Sequence, residues 1–398
     1  MPWVQHDAPA STCLRSRPIW AEIDLEAYLQ NLRALKLWCG VPLLCVLKAD
    51  GYGHGAATLA QAIELLPPQD VLMLGVASVD EGAALRSAGV RRPILLLSAI
   101  LPSEAPGVLD FGLTPTVFTL DVTRALHLEA ERRGLELSVH VKIDTGMHRL
   151  GVPWKQAPAF FDKLRRFDFL RVAGIYTHFA SADCDTVFTQ RQRRRFLRTV
   201  ELSPLNWNQD SRPLLHAANS AAAIAFSHAR FDMVRVGIAS YGLSCGLSPE
   251  QLAPLHLRPV MSLRARITHE QSIPRGEGVS YGQAWRAPRP SRIATVAVGY
   301  ADGYPRLASG RAQVLVNGRR ARVVGRVTMD QILIDVTDVA ASVGDPVTLW
   351  GRDKNETISA DEVAGWAQTI GYEIVCGVAS RVRRVVVNQE RVTPPLED

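Results

Sequence analysis

The chain contains the stretch Leu43-Leu44-Cys45-Val46-Leu47-Lys48-Ala49-Asp50-Gly51-Tyr52-Gly53-His54-Gly55, in which a short apolar run ends on a single lysine. Pro42 and a glycine-rich turn bound the run, which is typical of a buried parallel strand. An ammonium group is costly there unless it is paired or neutral, and a desolvated lysine of lowered pKa is suited to forming a Schiff base with an aldehyde cofactor. A lysine that reaches from the strand end to water is the alternative. The stretch therefore makes Lys48 a candidate reactive amine at the end of a strand.

Seven further apolar runs follow at regular spacing, separated by segments with helical periodicity such as 25–35 and the segment after Ser78, a serine N-cap followed by acidic residues. The eight runs cover residues 43–47, 71–76, 93–97, 116–119, 138–143, 173–178, 214–217 and 234–239. Eight such units predict an α/β fold, a closed (β/α)8 barrel of the TIM type over residues 18–246. A doubly wound open sheet is the alternative, but it has no natural place for so many polar strand ends.

A different pattern begins after the barrel, and it predicts a β-rich C-terminal domain over residues 247–398. Alternating runs at 262–267, 292–298, 313–319 and 322–324 are typical of strands, and Asn317-Gly318 is a strong hairpin signal. We expect the early strand 19–23 to pair with this domain, and residues 1–17 to form a disordered leader.

Composition excludes several classes of function. The net charge of +6 is mild for 398 residues, and the basic clusters at 191–195 and 381–384 lack interleaved aromatic residues, which argues against nucleic-acid binding. Six scattered cysteines without C-x-x-C spacing favour reduced thiols and suggest neither a disulfide framework nor a metal site. With neither a signal peptide nor an apolar stretch long enough to span a membrane, we expect a soluble, cytoplasmic protein.

Polar residues gather at the predicted carboxyl ends of the strands, where barrels carry their active sites. Taken singly, each has a structural explanation, such as a turn aromatic, a core histidine, a helix cap or an ion-pair partner. Taken together, Ser220 and the amides of Gly237 and Ile238 are suited to a phosphate, and Lys48 to an aldehyde. The set predicts a site for pyridoxal phosphate. Its members are Lys48, Tyr52, the segment 142–149, His178, Asn219, Ser220, Arg235, Gly237 and Ile238.

Arg235 indicates which reaction such a site favours. Many pyridoxal phosphate enzymes place an acidic residue at the ring nitrogen, which keeps the nitrogen protonated. An arginine only donates hydrogen bonds, so it would leave the ring nitrogen unprotonated and the ring a weaker electron acceptor. Brief removal and return of the Cα proton is then favoured over transamination.

The chain resembles the alanine racemase family, pyridoxal-phosphate-dependent enzymes of fold type III, over roughly residues 19–387. The resemblance rests on nine motifs in order. They are Ala21-Glu22-Ile23-Asp24, Val46-Leu47-Lys48-Ala49-Asp50-Gly51-Tyr52-Gly53-His54-Gly55, the run Lys142-Ile143-Asp144-Thr145-Gly146-Met147-His148-Arg149-Leu150-Gly151, Thr177-His178-Phe179-Ala180, His216-Ala217-Ala218-Asn219-Ser220, Arg235-Val236-Gly237-Ile238, Val279-Ser280-Tyr281-Gly282, Val298-Gly299-Tyr300-Ala301-Asp302-Gly303-Tyr304-Pro305-Arg306 and Gly325-Arg326-Val327-Thr328-Met329-Asp330. The resemblance implies that the protein interconverts L-alanine and D-alanine and supplies D-alanine for peptidoglycan.

The resemblance also implies catalytic and substrate-binding residues. Lys48 would carry the cofactor and act as the base for D-alanine, and Tyr281 of the partner subunit would be the base for L-alanine on the opposite face. The backbone N–H of Met329, again from the partner, would meet the substrate carboxylate. Arg149 would help to position the substrate, supported by Lys142, carbamylated as in relatives. A homodimer with shared active sites follows.

The cofactor-binding residues implied by the resemblance agree with those inferred from the strand ends. Tyr52, Ser220, Gly237 and Ile238 would hold the phosphate, Arg235 the ring nitrogen, and His178 would pack against the ring. The full set is Lys48, Tyr52, His178, Asn219, Ser220, Arg235, Gly237 and Ile238.

Two departures from the family pattern affect the expected substrate range. Ser380 stands before Arg381 where many relatives carry a tyrosine that crowds the substrate pocket, and Thr328 replaces a frequent cysteine before Met329. A racemase that accepts serine or larger amino acids is therefore an alternative. A decarboxylase would be expected to have an acidic partner for the ring nitrogen, and a non-catalytic carrier would need only the barrel.

Overall fold

The computed structural model describes residues 17–203 and 212–391, so the predicted leader lies outside it apart from Arg17. Eight parallel strands, numbered with the helices along the chain, form the first domain. They are β2 (Leu43–Val46), β3 (Val71–Val76), β4 (Ile94–Leu96), β5 (Thr116–Val117), β6 (Leu137–Asp144), β8 (Leu170–Tyr176), β9 (Leu214–His216) and β10 (Val234–Val236), and the short β7 (Val152–Pro153) pairs with β6. The strands run in the order β10-β2-β3-β4 and β5-β6-β8-β9.

Backbone hydrogen bonds join these two sets of strands into a ring. Leu96 N donates to Thr114 O (2.9 Å) between β4 and β5, and Arg235 N donates to Ala218 O (2.9 Å) between β10 and the end of β9. The closed α/β barrel predicted from the sequence is thereby confirmed. Strand β8 ends at Tyr176, two residues before the predicted end, so His178 lies in the following loop.

Helices follow the barrel strands as predicted. Helix α1 begins after Asp24, whose carboxylate accepts from Ala27 N, and α4 begins after Ser78, whose hydroxyl accepts from Glu81 N. The helices of this domain are α1 (Leu25–Cys39), the turn α2 (Lys48–Tyr52), α3 (Ala56–Glu64), α4 (Val79–Ser87), α5 (Ala105–Asp110), α6 (Leu120–Arg133), α7 (Ala157–Leu164), α8 (Thr186–Glu201), α9 (Ser220–Ala225) and α10 (Pro249–Leu252).

The C-terminal domain is built on antiparallel strands, of which β11, β14, β17, β16, β15 and β18 pair in that order and close back onto β11. Its strands are β11 (Met261–Ile273), β12 (Gly278–Val279), β13 (Trp285–Arg286), β14 (Ser291–Val296), β15 (Gln313–Val316), β16 (Arg319–Val324), β17 (Ile332–Asp335), β18 (Pro346–Asp353), β19 (Glu356–Ile358) and β20 (Arg383–Val387), with helices α11 (Ala360–Ala367) and α12 (Gly371–Cys376). Asn317 and Gly318 turn between β15 and β16 with φ of 54° and 77°. Both central φ angles are positive, as a tight hairpin turn of the I′ type requires.

The N-terminal strand β1 (Ile19–Asp24) belongs to this second sheet. It pairs antiparallel with β11, Ile19 opposite Ala265, and parallel with β20, Trp20 opposite Arg383. The chain therefore contributes a strand to the C-terminal domain before it forms the barrel. One continuous apolar core extends through both domains. Because β1 leads directly into α1, the orientation of the two domains is fixed by backbone pairing as well as by side-chain packing.

No helix in the part of the chain that the structure describes is both long and apolar enough to cross a membrane.

Candidate active site

A cavity of about 340 Å³ opens at the carboxyl ends of the barrel strands. It brings together all ten barrel residues singled out from the sequence, which lie as much as 190 positions apart along the chain. These are Lys48, Tyr52, Lys142, Arg149, His178, Asn219, Ser220, Arg235, Gly237 and Ile238, and the wall is completed by Val46, Leu97, Ser98, Leu150, Tyr176 and Tyr372. Four of the lining residues are cationic and none is a carboxylate, so the cavity is suited to an anionic ligand.

Lys48 and Tyr52 enter the cavity from a left-handed turn. Ala49, Asp50 and Gly51 have φ and ψ near +50°, and Tyr52 has φ of 52°. Each non-glycine residue in this conformation costs roughly 1–2 kcal/mol. Carboxylates hold the turn, since Glu81 accepts from Ala49 N (2.7 Å) and Asp50 accepts from Ala56 N (2.8 Å). The conformation places Lys48 and Tyr52, four residues apart, on the wall of the same cavity.

Arg235 lies on β10 beneath the cavity and is almost completely buried. Its guanidinium donates to Thr177 O (2.8 Å) and Ala217 O (2.9 Å), and it contacts Nδ1 of His178 (3.2 Å) and Nδ1 of His216 (3.0 Å). All of these partners are neutral acceptors, so the positive charge is not compensated by a carboxylate. Burial lowers the pKa of Arg235 to about 10, which keeps it charged at neutral pH.

A chain of buried histidines supports Arg235 from below. Because an arginine only donates, Nδ1 of His216 accepts, and Nε2 of His216 must donate to Nδ1 of His140 (2.9 Å). Burial and the nearby Arg235 charge lower the pKa of His140 to about 3 and that of His216 well below its ordinary value. Both rings are therefore neutral, and their tautomers are fixed by the arginine.

The two cavity lysines have lowered pKa values for a related reason. Burial is the larger cause for both, and the charge of Arg149 adds to it. The pKa of Lys142 falls to about 7, because burial disfavours its charge and Arg235, Arg149 and Lys48 also repel its proton. A substantial fraction of the Lys142 amine is therefore neutral and nucleophilic near neutral pH.

The far end of the cavity is formed by Ser220, Gly237 and Tyr52. The hydroxyl of Ser220 accepts from Gly237 N (3.0 Å) at the start of α9, and the preceding Asn219 caps this helix through Ala222 N (3.0 Å). A Cβ atom at Gly237 would lie 2.7 Å from the Tyr52 hydroxyl oxygen. Glycine is thus required for the tyrosine hydroxyl to approach the backbone of the 237–238 turn.

Tyr281 and Met329 are not brought to this cavity within the chain. Tyr281 lies on a separate surface depression with Ser280, Thr328, Gln331 and Leu333, and its side chain is 72% exposed. Met329 is 54% exposed. Both belong to the C-terminal domain, and neither lines the barrel cavity that contains Lys48.

An ion-pair cluster holds the loop that carries Met329. The carboxylate of Asp302 is fully buried and accepts from Arg17 (2.7 Å), Arg381 (2.7 Å) and Gly299 N (2.9 Å). Ala301 N in the same turn donates to Met329 O (3.0 Å). Sequence reasoning quoted this turn as a motif but assigned no role to its aspartate.

Sequence reasoning also missed two aromatic walls of the cavity. Tyr176 stacks on His216 at a centroid distance of 4.7 Å, and its position two residues before His178 on a predicted strand was an available signal. Tyr372 lies 6.1 Å from the Tyr52 ring and comes from α12, for which no local signal exists. Ser380, expected to widen the pocket, is exposed and does not line the cavity.

Comparison with known proteins gives a consistent result. The family model described as "Alanine racemase, N-terminal domain" matches residues 23–245, and "Alanine racemase, C-terminal domain" matches residues 260–386. The chain belongs to the alanine racemase family. The family uses pyridoxal 5'-phosphate, and the resemblance found from the motifs is thereby confirmed.

Individual members of the alanine racemase family are similar over almost their whole length. The alanine racemase of Desulfovibrio desulfuricans is 43% identical over 378 residues, 93% of this chain and 98% of that protein. That of Symbiobacterium thermophilum is 44% identical over 374 residues, 92% of this chain and 97% of its own length. The structure from Streptomyces coelicolor has a TM-score of 0.85 at 35% identity and covers 94% of this chain and 99% of that one.

The cavity fits the family cofactor on its own geometry. The Tyr52 hydroxyl approaches Gly237 closely, next to the Ser220 hydroxyl at the start of α9, and this grouping of hydroxyls suits a phosphate. Ile238 begins a 3₁₀ turn, so its N–H has no partner within that turn. Lys48 shares the cavity with this end and with Arg235, which offers only donors to a ring nitrogen.

We predict that Gly237→Ala weakens cofactor binding through Tyr52 alone. The new methyl group displaces the tyrosine hydroxyl, and loss of one charged-group hydrogen bond lowers affinity by roughly 10- to 100-fold. Affinity is measured by titrating the apoprotein and following the absorbance of bound cofactor. Tyr52→Phe is the matched background: Gly237→Ala should have little further effect there, and a full second loss of affinity would contradict the steric assignment.

Proposed function

We propose that this chain is a pyridoxal-phosphate-dependent racemase that interconverts L-alanine and D-alanine, works in the cytoplasm and supplies D-alanine for peptidoglycan. The observation that carries the proposal is the buried charge of Arg235 on neutral partners in the same cavity as Lys48. A pyridine nitrogen that meets this guanidinium cannot be protonated by it. Proton removal and return at Cα is the reaction such a site favours.

The cofactor, when bound, supplies an aldehyde for the substrate amine and an aromatic ring that withdraws electrons from Cα. The side chains of the protein move the proton. Lys48, whose pKa is lowered by burial and by Arg149, is suited to hold or release a proton at Nζ on one face of Cα. The hydroxyl of Tyr281 of the partner subunit holds or releases a proton on the opposite face of Cα, because inversion needs two groups on opposite sides of Cα.

The partner subunit is proposed for a geometric reason. Tyr281 and Met329 lie together on the exposed surface of the C-terminal domain and are absent from the wall of their own chain's cavity. In a two-fold dimer with the domains arranged head to tail, each C-terminal domain completes the other barrel's site. Arg149 and the backbone N–H of Met329 of the partner subunit then both meet the substrate carboxylate.

Lys142 is proposed to be carbamylated. Addition of carbon dioxide to a neutral amine forms an N–C bond and releases one proton, leaving a carboxylate on the lysine nitrogen. The pKa of about 7 supplies the neutral amine, and Arg235, Arg149 and Lys48 surround the place where the negative charge forms. The modification thus converts a repulsive group into the only anion of the cavity wall and gives Arg149 a partner.

We expect a carbamate carbon signal in the ¹³C NMR spectrum of protein equilibrated with labelled bicarbonate at about pH 8. The signal should decline as the pH falls below about 7, because protonation of Lys142 removes the nucleophile. Lys142→Met removes the signal, whereas Lys163→Met, a change of an exposed lysine on α7, retains it. An identical spectrum for Lys142→Met and the wild type would contradict the assignment.

The reaction is tested by incubating the protein with L-alanine or L-serine in D2O and resolving enantiomers and Cα deuterium. Deuterated D-alanine should greatly exceed deuterated D-serine, and comparable yields would favour the broader racemase. Tyr281→Phe should retain the cofactor's absorbance, lose inversion by roughly 1,000-fold and keep Cα exchange of D-alanine, since Lys48 is intact. Equal loss of exchange with both enantiomers would contradict the two-base assignment.

Sharing of sites between subunits is tested by mixing two inactive variants. Lys48→Ala and Tyr281→Phe subunits, reassorted at equal concentration, should recover about a quarter of wild-type activity, because half of the dimers carry one intact site. Each variant alone, taken through the same reassortment, is the control. Mixtures that stay inactive while forming heterodimers would show that both bases act within one chain.

A further inference from the structure

His54 is a buried histidine next to the left-handed turn, and the proposed reaction does not use it. Its Nδ1 lies 3.0 Å from Gly51 O and 2.9 Å from Tyr52 O. Carbonyl oxygens only accept, so Nδ1 carries a hydrogen and donates to both in a bifurcated bond. The imidazole packs on the Tyr241 ring at a centroid distance of 4.6 Å, and it is 1% exposed.

The other ring nitrogen fixes the charge of His54. Nε2 is buried and has no hydrogen-bond partner among the described residues. A proton on it would therefore have neither water nor an acceptor, and burial, with a smaller contribution from the Arg384 charge, lowers the pKa of His54 to about 4. His54 is neutral and protonated at Nδ1 near pH 7.

Hydrogen-bond donors are needed at this turn because its left-handed backbone does not continue into a right-handed helix. Gly51 N and Gly53 N donate to Leu47 O (2.8 Å) and Ala49 O (2.9 Å), but in the described chain main-chain donors reach only Gly51 O among the carbonyls of residues 51–53, chiefly His54 N (3.1 Å). His54 takes two of them, and Arg384 of β20 donates to the third, Gly53 O (3.0 Å). Buried carbonyls without donors would favour a relaxed turn.

We propose that His54 is a positioning residue for the cofactor: through Nδ1–H it holds the left-handed turn that directs Lys48 and Tyr52 into the cavity. This inference rests on the proposed function, in which Lys48 and Tyr52 bind the cofactor. The imidazole touches neither substrate nor cofactor; it acts on the backbone between the two residues that do. Without this donor, the part of the turn that carries Tyr52 is no longer held beside Gly237. The cofactor phosphate is then bound more weakly.

The test separates the donor from the ring. His54→Asn keeps two amide hydrogens close to the position of Nδ1 but lacks the ring, and His54→Phe keeps a ring against Tyr241 but lacks the donor. His54→Gln places its amide near Nε2 instead and serves as a second donor-shifted variant if the phenylalanine variant fails to fold. His127→Phe is the matched control, a largely buried histidine that packs on Phe167 (5.3 Å) and makes no contact with the turn.

Two measurements are made on each variant: cofactor affinity from absorbance titration of the apoprotein, and hydrogen exchange of the Gly51 and Gly53 amides in the apoprotein. His54→Phe and His54→Gln should bind the cofactor roughly 30-fold more weakly and exchange faster, because Tyr52 O loses its donor and Gly51 O keeps only main-chain donors. His54→Asn and His127→Phe should stay within about threefold of the wild type.

Wild-type affinity and protection in a folded His54→Phe or His54→Gln would overturn the proposal. So would a folded His54→Asn that behaves like His54→Phe, since the ring and not the donor would then matter. A wild-type protein that binds no cofactor would instead refute the proposed function, and the exchange measurement on the apoprotein would still report on the turn. The two failures are thereby distinguishable.

Discussion

The buried guanidinium of Arg235 is the constraint on which the rest of the site depends. It is held by carbonyl oxygens and imidazole nitrogens, so its charge is neither removed nor balanced. One consequence, added to the larger effect of burial, is that the pKa values of His140, His178, His216 and Lys142 are lowered. Another is that the cavity wall carries cations and no carboxylate among its lining residues. A carboxylate in place of the His178 or His216 ring would balance the Arg235 charge.

Backbone geometry is the second requirement. The left-handed turn, the approach of Tyr52 to Gly237 and the loop held by Asp302 each place one functional group by fixing main chain rather than side chain. Strand β1 extends this principle to whole domains, because its pairing with β11 and β20 fixes the barrel relative to the C-terminal sheet. Tyr281 and Met329 belong to the domain of that sheet, are exposed, and are absent from the wall of their own chain's barrel cavity.

Much of the fold could be predicted because it is encoded locally. The Ser78 cap, the Asn317-Gly318 turn and the eight short apolar runs each use only neighbouring residues, and all appear as expected. The site residues in the barrel were predictable from their place at strand ends. Tyr372 was not, since α12 reaches the cavity only after the two domains pack. The effect of Ser380 on substrate range stays a prediction, because alignment to a pattern gives its neighbours in sequence but not its position in space.

The sequence by itself determined the barrel, the β-rich domain and the identity of the cavity's cationic residues, because periodicity, capping and strand-end position are short-range properties. Only the tertiary structure decided the charge states. The neutral histidine chain below Arg235 and the lowered pKa values of Lys142 and His54 all arise from burial among groups distant in the chain. Solvation and Coulomb energies depend on distances in space, and those distances do not exist until the chain has folded.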